Sequence, residues 1–191
     1  FSNLELPQSL PILPVRNLVL FPGVVSPILI GRESSMKLIK KADKKNLLIG
    51  IICQRDAEIE HPDTQDLYNY GVYAKVIKVL TLPNGNITAI VQGLGRLELI
   101  GITNTTPYLY GSVMPAPESS PEKNDAEYKA AVDDLRQTTS EYIRINDDIP
   151  EEANFAIKNV SNDIMAINYI CSNLIFSIKE KMLLLEKSTI K

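Results

Sequence analysis

The sequence predicts an α+β fold: a small, closed or nearly closed β-barrel carrying one helix, followed by four helices. Three observations point there. Residues 1–115 hold six or more short, β-branched runs separated by turns with glycine and proline. The stretch MPAPESSPEKND, residues 114–125, then substitutes proline, serine and charge for those runs. Beyond it, apolar residues recur at spacings of three and four, the period of a helix. The expected units are residues 1–115, a linker at 116–124 and a helical unit at 125–191.

In order, LPILPV (10–15) reads as a proline-interrupted strand. Leu18–Phe21 and Val24–Ile30 flank a turn at Pro22-Gly23, and Pro27 interrupts the second run. Two prolines exclude a buried helix and a central strand, because each lacks the N–H that either structure needs. Corners or edges of a small barrel accept them. SSMKLIKKADKK (34–45) reads as a helix with Ser34 or Ser35 as its cap. Met36, Leu38, Ile39 and Ala42 form its apolar face, and lysines crowd the C-terminal turn, where the helix dipole favours them. NLLIGIICQ (46–54) is short enough to be a buried strand. GVYAKVIKVLTLPNGNITAIVQG (71–93) reads as a hairpin, since Asn84-Gly85 supplies the positive φ of a tight turn. Gly93–Arg96, GLGR, is expected to be a further turn, with RLELIGIT (96–103) and YLYGSVMP (108–115) as strands after it.

In the second half, Asp125 to about Asn146 has a face of Ala131, Leu135, Thr138, Tyr142 and Ile145. Asp147 and Asp148 break that helix, and Pro150 suits the first turn of the next, which runs to about Val160. Ser161–Asp163 offers a cap for a helix through Leu174. Ser177-Ile-Lys-Glu180 is a capping box, so a last helix starts there and is expected to run to the end of the chain. Roughly 70 residues of helix make a poor independent core, worth about 3–5 kcal/mol. They must dock on the barrel or on something beyond Lys191, and the leucine triplet of MLLLE (182–186) favours the latter.

The chemistry of the 191 residues excludes several functions. A formal charge of −3 and a pI near 5.3 argue against non-specific nucleic-acid binding. The two halves differ: residues 1–115 carry 11 basic and 9 acidic groups, the remainder 9 and 14. No apolar run reaches the ~18 residues of a membrane span. Two cysteines, Cys53 and Cys171, both in apolar contexts, and the lack of a secretory leader point to the cytoplasm. The one histidine, His61, lies in the acidic loop DAEIEHPDTQD (56–66) without partner ligands at zinc spacing. That loop matches no calcium-binding pattern and reads as a solvated surface. No nucleophile elbow, zinc-protease helix or phosphate loop is present. No catalytic residue, metal site or cofactor site is expected in this segment.

LPILPVRNLVLFPGVVSPILIGRE, DAEIEHPDTQDLYNYGVYAKVIKVLTLPNG and VQGLGRLELIG resemble the N-terminal domain of the Lon family of ATP-dependent proteases. IPEE (149–152), the Asp163 region and IKEKMLLLE (178–186) resemble its later helices, so the resemblance covers residues 9–190. It implies a PUA-like barrel and a helical bundle that capture damaged or unfolded proteins and support a homohexamer. ATP and magnesium would serve an ATPase module, and a Ser–Lys pair a peptidase module, both outside these residues. The alternative is a stand-alone binding or adaptor protein built on the same domain. RNA binding, suggested by PUA-like barrels generally, is disfavoured by the acidic pI.

Capture of unfolded chains needs apolar groups held in the open. Phe21, Pro22, Pro27, Ile28 and Leu109 are the candidate client-binding residues, with Tyr108 and Tyr110 beside the last. The competing reading is that Phe21 and Ile28 are core and the prolines only shape corners. Alternation requires that at least one of residues 108–110 points inward.

Overall fold

Prolines and glycines set the course of the first strands. The computed structural model, which describes residues 5–119, 121–122 and 125–187, places β1 at Ser9–Val15 and β2 at Val25–Ile30. Leu18–Phe21, expected as a strand, is irregular chain leading into a tight turn. Within that turn Gly23 has φ +78°, and the Val24 N–H donates to the Phe21 carbonyl at 3.2 Å. Proline first and a left-handed glycine second is the type II arrangement.

Helix α1 spans Glu33–Lys45 and buries Ser35, Leu38, Ile39 and Ala42. Neither Ser34 nor Ser35 caps it: the helix starts earlier, so both hydroxyls lie inside its first turn and Arg32 occupies the cap position without a side-chain bond. Lys44 and Lys45 stand in the last turn as expected, and Asn46 closes the helix in the left-handed conformation. β3 (Leu48–Cys53) is the buried strand, and β4 (Tyr70–Thr81) pairs with β5 (Ile87–Asn104) across a turn whose Gly85 has φ +85°.

β5 runs for 18 residues, straight through the turn expected at Gly93–Arg96. The described positive-φ glycines are Gly23 and Gly85. Gly93 and Gly95 are needed for space instead. A Cβ at Gly93 would sit 2.5 Å from the Phe21 carbonyl oxygen, and one at Gly95 would collide with the Tyr73 ring. Two runs anticipated as separate strands are therefore one strand, which carries a bulge at Leu94, the extra residue between Gly93 and Gly95 opposite Tyr73 and Ala74 of β4.

β6 (Tyr110–Pro115) completes a six-stranded sheet of order β2-β5-β4-β3-β1-β6. β5 also pairs with β6, so five strands join in a ring and β2 lies outside it as an edge. The β1–β3 pairing is parallel; the others are antiparallel. The main core lies between this sheet, α1 and the last helix, with Leu13, Phe21, Ile28, Ile39, Ile51 and Val91 among its members. A second cluster of Leu10, Ile12, Ile52, Leu67, Leu97, Leu99 and Val113 fills the other end.

The remaining helices are α2 (Ala126–Ile145), α3 (Glu151–Asn159), α4 (Asp163–Asn173) and α5 (Ile178–Leu185). Asp125, Asn162 and Ser177 cap α2, α4 and α5 through side-chain oxygens, and the Ser177–Glu180 capping box is formed in both directions. The buried face of α2 overlaps the expected one only in part: Leu135 and Tyr142 pack against the helical core and Val132, Thr139 and Ile143 are buried, while Ala131, Thr138 and Ile145 are exposed. Arg136 lies on the same inward side, where its guanidinium donates to the Ile157 carbonyl at 2.6 Å and to Asp163 at 2.9 Å and so ties α2 to α3 and α4. Ile143, Ile149, Ala153, Ile157 and Ile170 form the helical core.

α5 departs from two expectations. It ends at Leu185, and residues 188–191 lie outside the described chain. Its Met182 and Leu185 are buried in the main core with the strands, so the helix docks on the sheet. Leu183 alone of the leucine triplet is exposed.

Candidate functional site

Strand alternation divides the expected client-binding residues. Phe21 has no exposed surface and Ile28 retains only 6% of its own, so both belong to the core and neither is available to a client. Phe21 is pinned under β5 by the Gly93 contact, and Ile28 sits on the inward face of β2 with Ile30. Pro27 is exposed on the outward face and Pro22 is half-buried at its turn. Leu109 is half-buried against the second core cluster, and Tyr108 is buried with its ring stacked on that of Tyr110 at 6.1 Å.

The outward residues of β2 are Val25, Pro27 and Leu29, of which Leu29 is 67% exposed and Val25 52%. Residues directly opposite in a sheet share a face. Leu29 faces Thr88 of β5, which in turn faces Leu80 of β4. Pro27 faces Ile90, which faces Lys78. Ile77 is the extra residue where the β4–β5 register slips between Val76 and Lys78, and the bulge leaves it exposed. Val25, Pro27, Leu29, Ile77, Leu80 and Ile90 thus form one apolar surface across β2, β5 and β4, bordered by Lys78. Sequence reasoning missed Val25, Leu29, Ile77, Leu80 and Ile90. Alternation along VVSPILI, once phased on a buried Ile28, would have found the first two.

Arg96, in the segment expected to be a mere turn, organises the junction between sheet and helices. Its side chain is nearly buried and pairs with Glu118 at 2.6 Å. It also donates to the carbonyls of Leu185 and Lys187, at 2.5 and 2.7 Å, and to Asn168 at 3.3 Å. A cation on the last carbonyls of a helix satisfies both their lone pairs and the dipole. The guanidinium therefore ties β5, the segment after β6, α4 and α5 together.

The acidic loop is spent on its own structure. Asp63 and Asp66 form a reciprocal capping box around a short 3-10 turn, and Glu60 pairs with Arg16 at 3.1 Å. Among the described residues, no three His, Cys, Asp or Glu side chains gather as metal ligands. Burial pushes the thiol pKa values of Cys53 and Cys171 up, away from thiolate reactivity. No described helix is long and apolar enough to cross a membrane.

Fold and surface together define an α+β module with an exposed apolar face, across β2, β5 and β4. The chain belongs to the ATP-dependent protease La (Lon) substrate-binding domain family, whose profile matches residues 9–191. It is 42% identical over 190 residues to a Lon protease of Flavobacterium johnsoniae, covering 100% of this chain and 23% of that one. A Lon protease of Parabacteroides distasonis is 41% identical over 178 residues, covering 93% and 22%. The chain thus spans less than a quarter of the length of these relatives. Its fold matches the N-terminal domain of a Mycobacterium avium complex Lon protease with a TM-score of 0.70 at 17% identity, covering 94% and 90% of the two chains.

Proposed function

We propose that this segment captures unfolded polypeptides for an ATP-dependent protease, through the apolar surface of Val25, Pro27, Leu29, Ile77, Leu80 and Ile90. The observation that carries the reading is a set of exposed aliphatic side chains on a sheet face, grouped around the half-buried Ile90 and held open by edge strand and bulge. Its place in a family of substrate-binding domains supplies the context. Peptide hydrolysis, ATP and magnesium belong in this proposal to modules outside the segment, within a homohexamer in the cytoplasm. Other subunits and damaged proteins are its partners. We further assign residues 1–115 and 125–191 as two units joined at 116–124, with α5 of the second docked on the sheet of the first.

Binding by one domain is weak in this account. A small patch contributes about 25 cal/mol per Å² buried and must offset the entropy lost on association. Several domains around a ring gain through effective concentration. Photo-crosslinking tests the assignment: a benzophenone side chain at position 29 is expected to capture a permanently unfolded client, such as a reduced and alkylated globular protein. The same group at the equally exposed Phe155 is expected to capture little. Equal or reversed yields would move the site to the helices.

A further inference from the structure

Two strand edges face one groove, and each carries a proline where a donor would be. The groove encloses about 560 Å³ and is lined by Leu13–Arg16 of β1 and its exit, by Pro27–Arg32 of β2 and its exit, and by Glu60. The Gly93 N–H donates to the Val24 carbonyl at 2.9 Å. By alternation Ser26, Ile28 and Ile30 turn their backbone groups to β5, so those of Val25, Pro27 and Leu29 face the free edge. On β1, the Ile12 N–H donates to the Leu109 carbonyl on the β6 side, and the Gln54 N–H donates to the Val15 carbonyl on the β3 side. Pro14 therefore faces away from β3, beyond the last residue that β6 reaches. Pro14 and Pro27 leave carbonyls without matching N–H groups on both edges. The edges cannot zip to each other, nor can a second copy pair its β2 here, since Pro27 removes the central donor from both strands.

One end of the groove is cationic. Arg16 and Arg32 both donate to the Ile59 carbonyl, at 3.3 and 3.1 Å. Glu60, the carboxylate lining the groove, is bound to Arg16. Arg32 forms no ion pair among the described residues; it also holds the buried Gln54 side-chain oxygen, and its Nε is buried without an acceptor. Burial, then the neighbouring Arg16 charge, lowers its pKa from the ordinary value.

We propose that this groove takes an extended, apolar polypeptide segment that ends in a carboxylate, which pairs with Arg32 and Arg16. The segment donates its N–H groups to the Pro14 and Pro27 carbonyls and exchanges both backbone bonds with Leu29. Its apolar side chains lie along Leu18, Pro27 and Leu29. The idea rests on the client-binding reading and adds a polar specificity to it: apolar clients with an acidic residue or a chain terminus after the apolar run are preferred.

The test is an amide NMR titration of the 191-residue chain at low salt with three hexapeptides alternating leucine or valine with threonine. One ends in an amidated glutamate, one in an amidated glutamine and one in glutamine with a free carboxylate. The glutamate peptide is expected to shift Leu29, Gly31 and Arg32 and to bind at least fivefold tighter than the amidated glutamine peptide. The free-terminus peptide regains that margin if a chain terminus serves, and its failure to do so assigns the side chain. Arg32→Gln, or Arg16→Gln should the first not fold, is expected to erase the margin. Equal affinities, or shifts confined to Ile77, Leu80 and the outward face, overturn the groove while leaving the client surface standing. No shift by any peptide, together with no binding of an unfolded protein, overturns both.

Discussion

Phe21 and Leu29 lie in one apolar stretch and meet opposite environments. Phe21 fills the main core without exposed surface, so Phe21→Ala is expected to cost about 3–5 kcal/mol in urea unfolding. Leu29→Ser should leave stability within about 0.5 kcal/mol, because its side chain stands mostly in water. The same change should weaken client binding about five- to thirtyfold, which corresponds to about 1–2 kcal/mol of lost apolar burial. Arg96→Ala strands the nearly buried Glu118 and frees the end of α5, with an expected loss of about 3–5 kcal/mol. Arg96→Lys is not expected to rescue it, since one ammonium cannot span the carboxylate, the Asn168 amide and the α5 carbonyls together. The candidate residues were half legible for a plain reason. Composition shows that 17–33 is apolar and bent, but a one-residue change of phase exchanges the inward and outward sets. Only the cross-strand register, set by long-range contacts, decides between Ile28 and Leu29.

Elements were legible where their signals are local. Asn84-Gly85, the cap expected within Ser161–Asp163 and found at Asn162, and the Ser177–Glu180 box fix their turn or helix end through groups a few residues apart. The continuity of β5 was not, because Gly93 and Gly95 answer to Phe21 and Tyr73, far away in sequence. Gly93→Ala is accordingly expected to destabilise by about 1–3 kcal/mol, as overpacking against backbone does. At α5 the capping box carries a pH signature. The backbone N–H of Ser177, then its side chain, lowers the Glu180 pKa below its ordinary value. A depressed carboxylate stabilises the folded state above its unfolded pKa, near 4.3, and loses that contribution as pH falls through the folded value. Glu33 with Lys37 and Glu60 with Arg16 shift in the same direction. Amide protection in α5, measured against the intrinsic exchange rate at each pH, should therefore fall on acidification below about pH 4.5, and Glu180→Gln should flatten that fall.

At the scale of the whole molecule, α+β architecture and family were readable from the order of β-rich and helical halves and from long matching stretches. The return of α5 to the sheet was not, since the triplet of MLLLE does not say which leucine faces which partner. Met182 and Leu185 join the main core, while α2, α3 and α4 keep a core of their own. Limited proteolysis should cut first within 116–124 and leave the two parts associated through α5. Early cleavage within 72–92, with the linker resistant, would contradict the division.

The central claim is that the outward face of β2, β5 and β4 holds the client, and methyl NMR tests it most directly. A reduced, alkylated protein is titrated into the chain labelled at isoleucine, leucine and valine methyls, in parallel with the Leu29→Ser variant. The account predicts shifts clustered at Val25, Leu29, Ile77, Leu80 and Ile90, weakened at least fivefold by the substitution at unchanged melting temperature. Shifts concentrated on Ile145, Ile175 and Leu183, or an affinity indifferent to Leu29→Ser, would contradict it.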